Sequence, residues 1–523
     1  MTIPKILHQT WKTDSIPEEF LGWSKSWTKY NPGWRHILWS DRMLLDFVAE
    51  NYPEYLDTYC GYRVGVQRAD AARYMLLHHF GGVYADLDCE CVAPFDGLLD
   101  ENRVILCKEP KSQSDAQTRL RNLPHLLFNG TMASPKGHPF WPHLLAYLPL
   151  VKDARDVLDA TGPCLLTAAQ LSFADQSAFA IHPHELFSPA DSGGSSMEVA
   201  TPATLSVHHW AGTWWIKPRP PSLLARLRHS YYQTLHILTK GEQLDVTAAQ
   251  AAVDPDAVKS PPPQGNNIAI LVPLRDAADH IAPFLAALAR IDHPKKHIKL
   301  VFCEGDSSDD SWQRLTQATA TLKGTYRDVV LLKKDLGIKM ERSKRWKPKL
   351  QRKRRAAIAA VRNHLIGHGL DASDDWALWI DIDVWRYPSD AISRLIASGG
   401  RIVVPNCAVV PGGGSFDMNS FATLRKPKDY RYYRALRGGL YQPPAKENTR
   451  LYLSDLRHLD SVNLDGVGGT MLLVDAALHR GGLNFPEIPY KFLLETEGFA
   501  ALAKDLGVVP LGLPKIEVLH VPW

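Results

Sequence analysis

Residues 376–383 read Trp-Ala-Leu-Trp-Ile-Asp-Ile-Asp, and residues 81–88 read Gly-Gly-Val-Tyr-Ala-Asp-Leu-Asp. Each is a short apolar run that stops on two acids one residue apart. An uninterrupted apolar stretch of this length is the pattern of a strand buried on both faces, as in a parallel sheet covered by helices. Such a strand delivers Asp86 and Asp88, or Asp381 and Asp383, to its own end. Two carboxylates there can share one divalent cation, whose charge neutralises a nucleotide diphosphate. The chain supplies a control in Asp254-Pro255-Asp256. It has the same spacing in a polar, Ala/Pro-rich stretch with no strand before it, and is expected to be solvated linker.

The surroundings of both acidic pairs alternate strand and helix. In the first half, Ile3 to Trp11 and Trp34 to Trp39 read as strands, and Gln67 to Phe80 as the helix that feeds Gly81-Gly82. In the second, Ile268 to Pro273 reads as a strand ending in Leu274-Arg275-Asp276. Ile281 to Arg290 follows as a helix, and Ile298 to Cys303 as a second strand closed by Glu304-Gly305-Asp306. Strand-end acids can hydrogen-bond a ribose or a base edge. Asp306 could equally cap the helix that begins near Asp310. The order is that of an α/β fold.

The chain has 523 residues, more than one core usually supports, so two domains of roughly 250 residues are expected. The boundary is placed in the Ala-rich, Pro261-Pro262-Pro263 segment, giving domains at 1–240 and 266–523 with a linker at 241–265. With 45% hydrophobic and 22% charged residues, the composition is that of a globular protein. The net charge of +4 hides a basic run from Lys333 to Arg355, which suits phosphates, anionic lipid or an acidic glycan, or is a solvated loop. Residues 220–240, PPSLLARLRHSYYQTLHILTK, place leucines at helical spacing. That helix either lies on a membrane surface or packs against its own domain. No run reaches the ~18 apolar residues of a spanning helix, and the seven cysteines are an odd number without the paired spacing of a disulfide framework or zinc site. Cys89 and Cys91 share a strand face beside the first acidic pair and are assigned no metal. A cytoplasmic location is expected, with peripheral contact on the inner face of the membrane as a further expectation. Of the tryptophans at 11, 23, 27, 34 and 39, most are expected in packing and one at a ligand.

Two resemblances add to this. Ile3-Pro4-Lys5-Ile6-Leu7-His8-Gln9-Thr10-Trp11, the block QRADAARYMLLHHFGGVYADLDCE (67–90), Thr161-Gly162-Pro163 and His208-His209-Trp210-Ala211-Gly212-Thr213-Trp214 make the first half resemble glycosyltransferase family 32. VPLRDAADHI (272–281), CEGDSSDDS (303–311), Arg362-Asn363 with WALWIDIDVWRYP (376–388), VVPNC (403–407), FDMNSF (416–421), VGGTMLLVDAALHRGGLNFP (467–486), ETEGFAALAKDLG (495–507) and EVLH (517–520) make the second resemble glycosyltransferase family 62, the fungal mannan-polymerase type. Both resemblances imply the GT-A fold, retention of configuration and metal dependence, hence two GT-A domains in tandem. The fungal relatives carry an N-terminal membrane helix that this sequence does not show, so their acceptors are not carried over.

The resemblance implies Mn2+ or Mg2+ and a nucleotide-sugar donor: GDP-mannose in the second domain, GDP-mannose or a UDP-hexose in the first. The acceptor class is a glycan or glycolipid, and no nucleic acid is expected. Asp88 and Asp383 are the direct metal ligands, with Asp86 and Asp381 on ribose or metal-bound water and so counted among both metal and catalytic residues. A third ligand late in each domain falls to His209, or its neighbour His208, and to His520. Asp70, Glu495 and Glu497 join the catalytic candidates, as partners of the transferred sugar or the incoming hydroxyl. Gln9, Trp11, Arg68, Arg73 and Tyr84 in the first half, and Pro273, Arg275, Asp276, Asp306 and Arg362 in the second, are the donor-binding candidates. The rival readings are a single catalytic head whose partner domain holds the acceptor, and a lectin-like or scaffold protein with decayed sites.

Overall fold

A computed structural model describes residues 2–121, 123–154, 156–190, 200–212, 222–337, 348–423, 428, 430–443 and 450–521. The chain divides into two compact units at 220/221. In the first, the strands are β1 (Ile6–Trp11), β2 (Arg35–Ser40), β3 (Gly82–Ala85), β4 (Cys89–Cys91), β5 (Val104–Lys108), β6 (Leu127–Ser134), β7 (Phe179–His182) and β8 (Ser206–His208). Six of them form one sheet in the order β2-β1-β3-β6-β5-β7. β1 runs parallel to β2 and β3, while β6 is antiparallel to β3 and β5. β4 and β8 form a separate antiparallel ribbon. The strand expected from Ile3 begins at Ile6 because Pro4 has no N–H for a ladder. The helix Gly65–Phe80 stops at Gly81, whose φ is +68°. A side chain at the next glycine, Gly82, would put a Cβ 2.5 Å from the Ile6 carbonyl oxygen, so glycine there lets β3 close on β1.

The second unit contains β9 (Ile268–Leu274), β10 (Ile298–Glu304), β11 (Asp328–Lys333), β12 (Trp376–Ile380), β13 (Val384–Arg386), β14 (Ile402–Ala408), β15 (Phe421–Thr423), β16 (Leu436–Arg437), β17 (Leu440–Tyr441), β18 (Arg450–Tyr452), β19 (Val462–Asn463), β20 (Met471–Asp475) and β21 (Leu511–His520). Its main sheet runs β11-β10-β9-β12-β20-β14-β21-β13. β11, β10, β9 and β12 are mutually parallel, and β20 is antiparallel to β12 and β14. All five residues of β12 are buried, and Trp376, Leu378 and Ile380 join one core with Ile270, Val272, Leu300 and Phe302. Each fully buried side chain of this size stabilises by about 1.5–3 kcal/mol relative to exposure. The first unit's sheet repeats this order with β2-β1-β3-β6-β5 in the places of β10-β9-β12-β20-β14. Both are α/β sheets whose acidic pairs follow the central parallel strand.

The boundary differs from the one expected at 240. The helix Leu223–Thr239 packs on the helix Tyr430–Ala435 of the second unit. The expected linker 241–265 carries the helices Val246–Ala251 and Pro255–Lys259. Leu244 and Asp254 donate their N–H groups to the carbonyls of Pro489 and Gly481, and Arg401 donates to those of Ala257 and Val258. The Asp-x-Asp control is therefore structured: Asp254 caps the second of these helices by accepting from the Asp256 N–H at 2.9 Å.

Candidate functional site

In the first unit, the Asp86 N–H donates to the carbonyl of Gly130 on β6 at 2.8 Å, and the chain turns so that the Cys89 N–H donates to the Asp86 carbonyl at 3.0 Å. The turn presents both carboxylates at the end of β3. Arg73, buried on the helix Gly65–Phe80, places Nη2 2.9 Å from Asp70 and 3.1 Å from Asp86. Its guanidinium lies 4.5 Å from the centre of the Tyr84 ring, and the Tyr84 hydroxyl donates to Asp86 at 2.8 Å. Asp70 accepts from Thr161 at 2.9 Å and from Asn129 at 3.1 Å. Burial pushes the Asp70 carboxyl up to about 6, with Arg73 opposing it. Burial also raises Asp86.

Asp88 faces the other way, toward the β4–β8 ribbon. Cys89 pairs with His208 across that ribbon, which brings His208 Nε2 to 3.2 Å from Asp88 Oδ1. The Ala211 N–H donates to Asp88 Oδ2 at 3.0 Å. Burial acts against the charge of both partners, yet their mutual attraction wins: Asp88 is lowered and His208 raised. His209 is not at this position. Successive residues of a strand point to opposite faces, so its ring turns to Glu90 at 2.9 Å and stacks on Trp23 at 4.2 Å. Of the two neighbouring histidines offered as the third ligand, it is His208 that faces Asp88. The Arg68 guanidinium donates to the Tyr62 carbonyl at 3.2 Å. Gln9 is buried, donates to the Asp86 carbonyl at 3.4 Å and accepts from Ser24 at 2.8 Å. Trp11 packs edge-on to Phe20 at 5.3 Å. Trp27 and Trp39 are core residues. Thr213 and Trp214 lie outside the described residues.

The second unit builds the same arrangement on different strands. The Asp381 N–H donates to the Thr470 carbonyl just before β20 at 3.0 Å, and the Val384 N–H donates to the Asp381 carbonyl at 3.0 Å. Val384 pairs with His520, which brings His520 Nε2 to 3.2 Å from Asp383 Oδ1. The His520 ring stacks on Phe416 at 4.0 Å. Desolvation works against the imidazolium, but the Asp383 carboxylate raises His520. Arg362, buried on the helix Pro348–Gly369, reaches Asp381 at 3.4 Å and Glu495 at 3.3 Å and lies over Trp379 at 5.1 Å. Burial pushes Asp381 up to about 7; Arg362 opposes this, while Asp383, Asp417 and Glu495 add to it.

The remaining candidates fall into place around this core. Glu495 opens the helix Glu495–Asp505 with φ +55°, a strained conformation for a non-glycine residue. Glu497 accepts from Arg450 through both oxygens, at 3.2 and 3.0 Å, with Arg355 at 3.5 Å. Burial raises its carboxyl, but these guanidiniums outweigh burial and lower it. A carboxylate clamped in that way is a poor proton acceptor. Asp276 accepts from the Ser308 N–H at 2.7 Å, and Asp306 accepts from the N–H groups of Leu336 and Gly337 at 3.0 Å each. Both residues have positive φ and tie together the loops after β9, β10 and β11. Asp309, two residues before the first residue of the helix Ser311–Ala320, accepts from the Ser311 N–H at 3.0 Å. Pro273 sits within β9, and Arg275 beside Asp276 at 3.5 Å. Of the basic run, residues 338–347 lie outside the described residues.

Sequence reasoning missed several groups. Asp417 accepts from the Thr470 hydroxyl at 2.7 Å and lies behind Asp381. A Cβ at Gly468 would sit 1.6 Å from Asp417 Oδ2, and one at Gly469 would sit 2.0 Å from Arg362 Nη2. The paired glycines are thus the signal for that close packing. Glu109, pushed up to about 7 by burial, acts on His208 from β5's end. No sequence pattern marks it.

The donor set suits a hard divalent cation. Asp88 and His208 in the first unit, and Asp383 and His520 in the second, each offer a carboxylate oxygen and an imidazole nitrogen on one side. Asp88, Cys89 and His208 place their ligand atoms within 4.8 Å of one another. Without a cation beside it, burial raises the Cys89 thiol far above its usual range.

The glycosyltransferase sugar-binding region containing the DXD motif matches residues 17–105, and the Anp1 family model matches residues 254–489. Mannan polymerase complex subunit mnn9 of Schizosaccharomyces pombe is 33% identical over 250 residues, 45% of this chain and 74% of that protein. Inositol phosphoceramide mannosyltransferase 3 of the same organism is 38% identical over 147 residues, 28% of this chain. The match spans 37% of that relative, and 25% of the Saccharomyces cerevisiae mannosyl phosphorylinositol ceramide synthase SUR1. Among solved structures, the mannosyltransferase PcManGT of Pyrobaculum calidifontis, in complex with GDP-Man and Mn2+, aligns with 13% identity and a TM-score of 0.31 over 57% of this chain and 68% of that one. By its likeness to mnn9 across most of that protein, the chain belongs to the Anp1 family, and its first half carries the glycosyltransferase DXD region.

Proposed function

We propose that the chain is a two-headed glycosyltransferase. Each unit binds a nucleotide-sugar with Mn2+ or Mg2+ and transfers a hexosyl group, with retention, to a glycan or glycolipid. The second unit uses GDP-mannose and forms an α-mannosyl linkage; the first uses GDP-mannose or a UDP-hexose. One observation carries the reading. Two unlike stretches of sequence build the same constellation, with the histidine facing the second acid from one fixed register position and a buried arginine, laid over an aromatic ring, holding the first. A scaffold with decayed sites has no reason to keep that geometry twice.

A divalent cation held by Asp88 and His208, or by Asp383 and His520, supplies charge that neutralises the diphosphate and steadies the leaving group. The chain's own groups do the positioning. Arg73 and Arg362 fix the first acids and balance their charge in a dry setting. Asp70 and Glu495, each paired with that arginine, are the candidates to accept hydrogen bonds from sugar hydroxyls. The test is release of GDP from GDP-mannose in Mn2+ by Asp88→Ala, Asp383→Ala and the double variant. Two working heads give a loss in the Asp383 variant, partial where the first unit also takes GDP-mannose and complete where it takes a UDP-hexose, and complete loss in the double. Full activity in the Asp383 variant sinks the assignment of mannosyl transfer to the second unit.

A further inference from the structure

The helix Leu223–Thr239 has no buried residue along its 17 positions. Its partly covered side chains, Ala225, His229, Tyr232 and His236, lie on one face, and the three rings among them meet Tyr433, Tyr430 and Phe492 at 5.2, 6.5 and 4.9 Å. At about 100° per residue, Leu223, Leu224, Leu227, Tyr231, Leu235 and Leu238 fall in one stripe about 120° wide on the opposite side. All six are exposed, Leu238 by 77% and Leu223 by 66%. A helix normally turns its apolar stripe inward; this one turns it out. Six large apolar side chains in water are a patch that needs a cover.

The charges say what kind. Arg226 and Arg228 flank the stripe on its two sides, Lys240 follows its end, and the sequence holds no Asp or Glu from Pro221 to Gly241. Arg431 and Arg434 stand over the Tyr430 ring on the neighbouring helix, at 5.6 and 5.8 Å. Apolar side chains with cations on both flanks match the hydrocarbon edge and anionic headgroups of a bilayer, where long basic side chains reach outward to the phosphates. Among the described residues, no helix is long and apolar enough to cross a membrane, so this face would lie on one. Phe492, which packs on the helix through His236, also lines a cavity of about 330 Å³ with Arg354, Arg355 and Glu497.

We infer that the outward stripe of Leu223–Thr239 is a docking face for an anionic lipid bilayer, which brings the cavity beside Glu497 next to the lipid surface. The inference rests on this helix and not on transfer activity, so it can fail while the proposed function stands.

The experiment is flotation of the full chain with phosphatidylcholine vesicles, with and without phosphatidylglycerol, at low and high salt. Binding should require the anionic lipid and weaken with salt. Leu227→Glu with Leu238→Glu should reduce it by about tenfold or more. Arg226→Gln with Arg228→Gln, which keeps every leucine and serves if the first variant misfolds, should reduce it by a similar factor on anionic vesicles. Failure to float with anionic vesicles overturns the inference. So does equal binding to neutral vesicles, or a lipid-free dimer in light scattering that the leucine variant abolishes, since a second copy would then be the cover.

Discussion

Replacing His479 by glutamine isolates a single proton's effect on the second unit. Burial holds this imidazole at about 4, against the ordinary 6.5. Its Nδ1–H donates to the Leu483 carbonyl at 2.8 Å, and the Trp379 indole N–H, which can only donate, takes the Nε2 lone pair at 3.1 Å. The groups facing the ring are the cations Arg362 and Arg480, Asn484, and the rings of Phe485 and Phe499. The two cations oppose a second proton, and the hydrogen bonds of Asn484 and Leu483 do not make up for burial. The unfolded chain protonates this histidine below 6.5 while the folded chain keeps it neutral down to about 4. Its contribution to stability is therefore fully present above pH 6.5 and is lost as pH falls toward 4. The two values give a loss of about 2 kcal/mol at pH 5 and about 3 kcal/mol at pH 4. Glutamine can still accept from Trp379 and donate to Leu483, but it does not titrate. The assay is urea unfolding of the full chain at a series of pH values, with each transition fitted separately. The gap between wild type and His479→Gln should close by about 2 kcal/mol between pH 7.5 and pH 5 in one transition only. Parallel pH profiles would refute the reasoning. The consequence reaches the site, because Trp379 underlies Arg362 and Arg362 holds Asp381.

Three further outcomes follow from the same geometry. His8 repeats the device in the first unit, held at about 4 by burial with Trp39 donating to Nδ1 at 3.1 Å, so His8→Gln should flatten the acid limb of the other unfolding transition. Gly469→Ala drives a methyl into the Arg362 guanidinium and should cost about 1–3 kcal/mol in thermal unfolding while weakening nucleotide binding at the second unit alone. Glu497→Gln removes the carboxylate that Arg450 and Arg355 share and should cost about 1.5–3 kcal/mol in urea unfolding. Glu495→Gln should cost less, because Arg362 keeps Asp381.

The two acidic strands were legible because burial on both faces leaves an unbroken apolar run that few other structures require. Their ends were legible for the same reason, since a carboxylate interrupting such a run must lie where the strand leaves the core. The histidines were harder. His208 and His209 are adjacent, and only the register of β4 against β8 decides which one faces Asp88. The fate of Glu497 was hidden because Arg355 and Arg450 come from distant segments. The helix Leu223–Thr239 was visible as amphipathic, but periodicity gives the stripe and not the side it faces. The segment 241–265 looked like a linker from its prolines and polar residues. It is held to the second unit by Arg401, far along the chain, and by backbone hydrogen bonds that composition does not encode.

Central to the account is that each acidic pair with its facing histidine holds one cation–nucleotide complex. Calorimetric titration of GDP and of UDP, each with Mn2+, into the full chain and into Asp88→Ala and Asp383→Ala measures that directly. The account predicts two sites in the wild type and the loss of a different one in each variant, with the base preference naming the donor class of each unit. A single site, abolished by one variant and untouched by the other, would contradict it and leave the second constellation without a ligand.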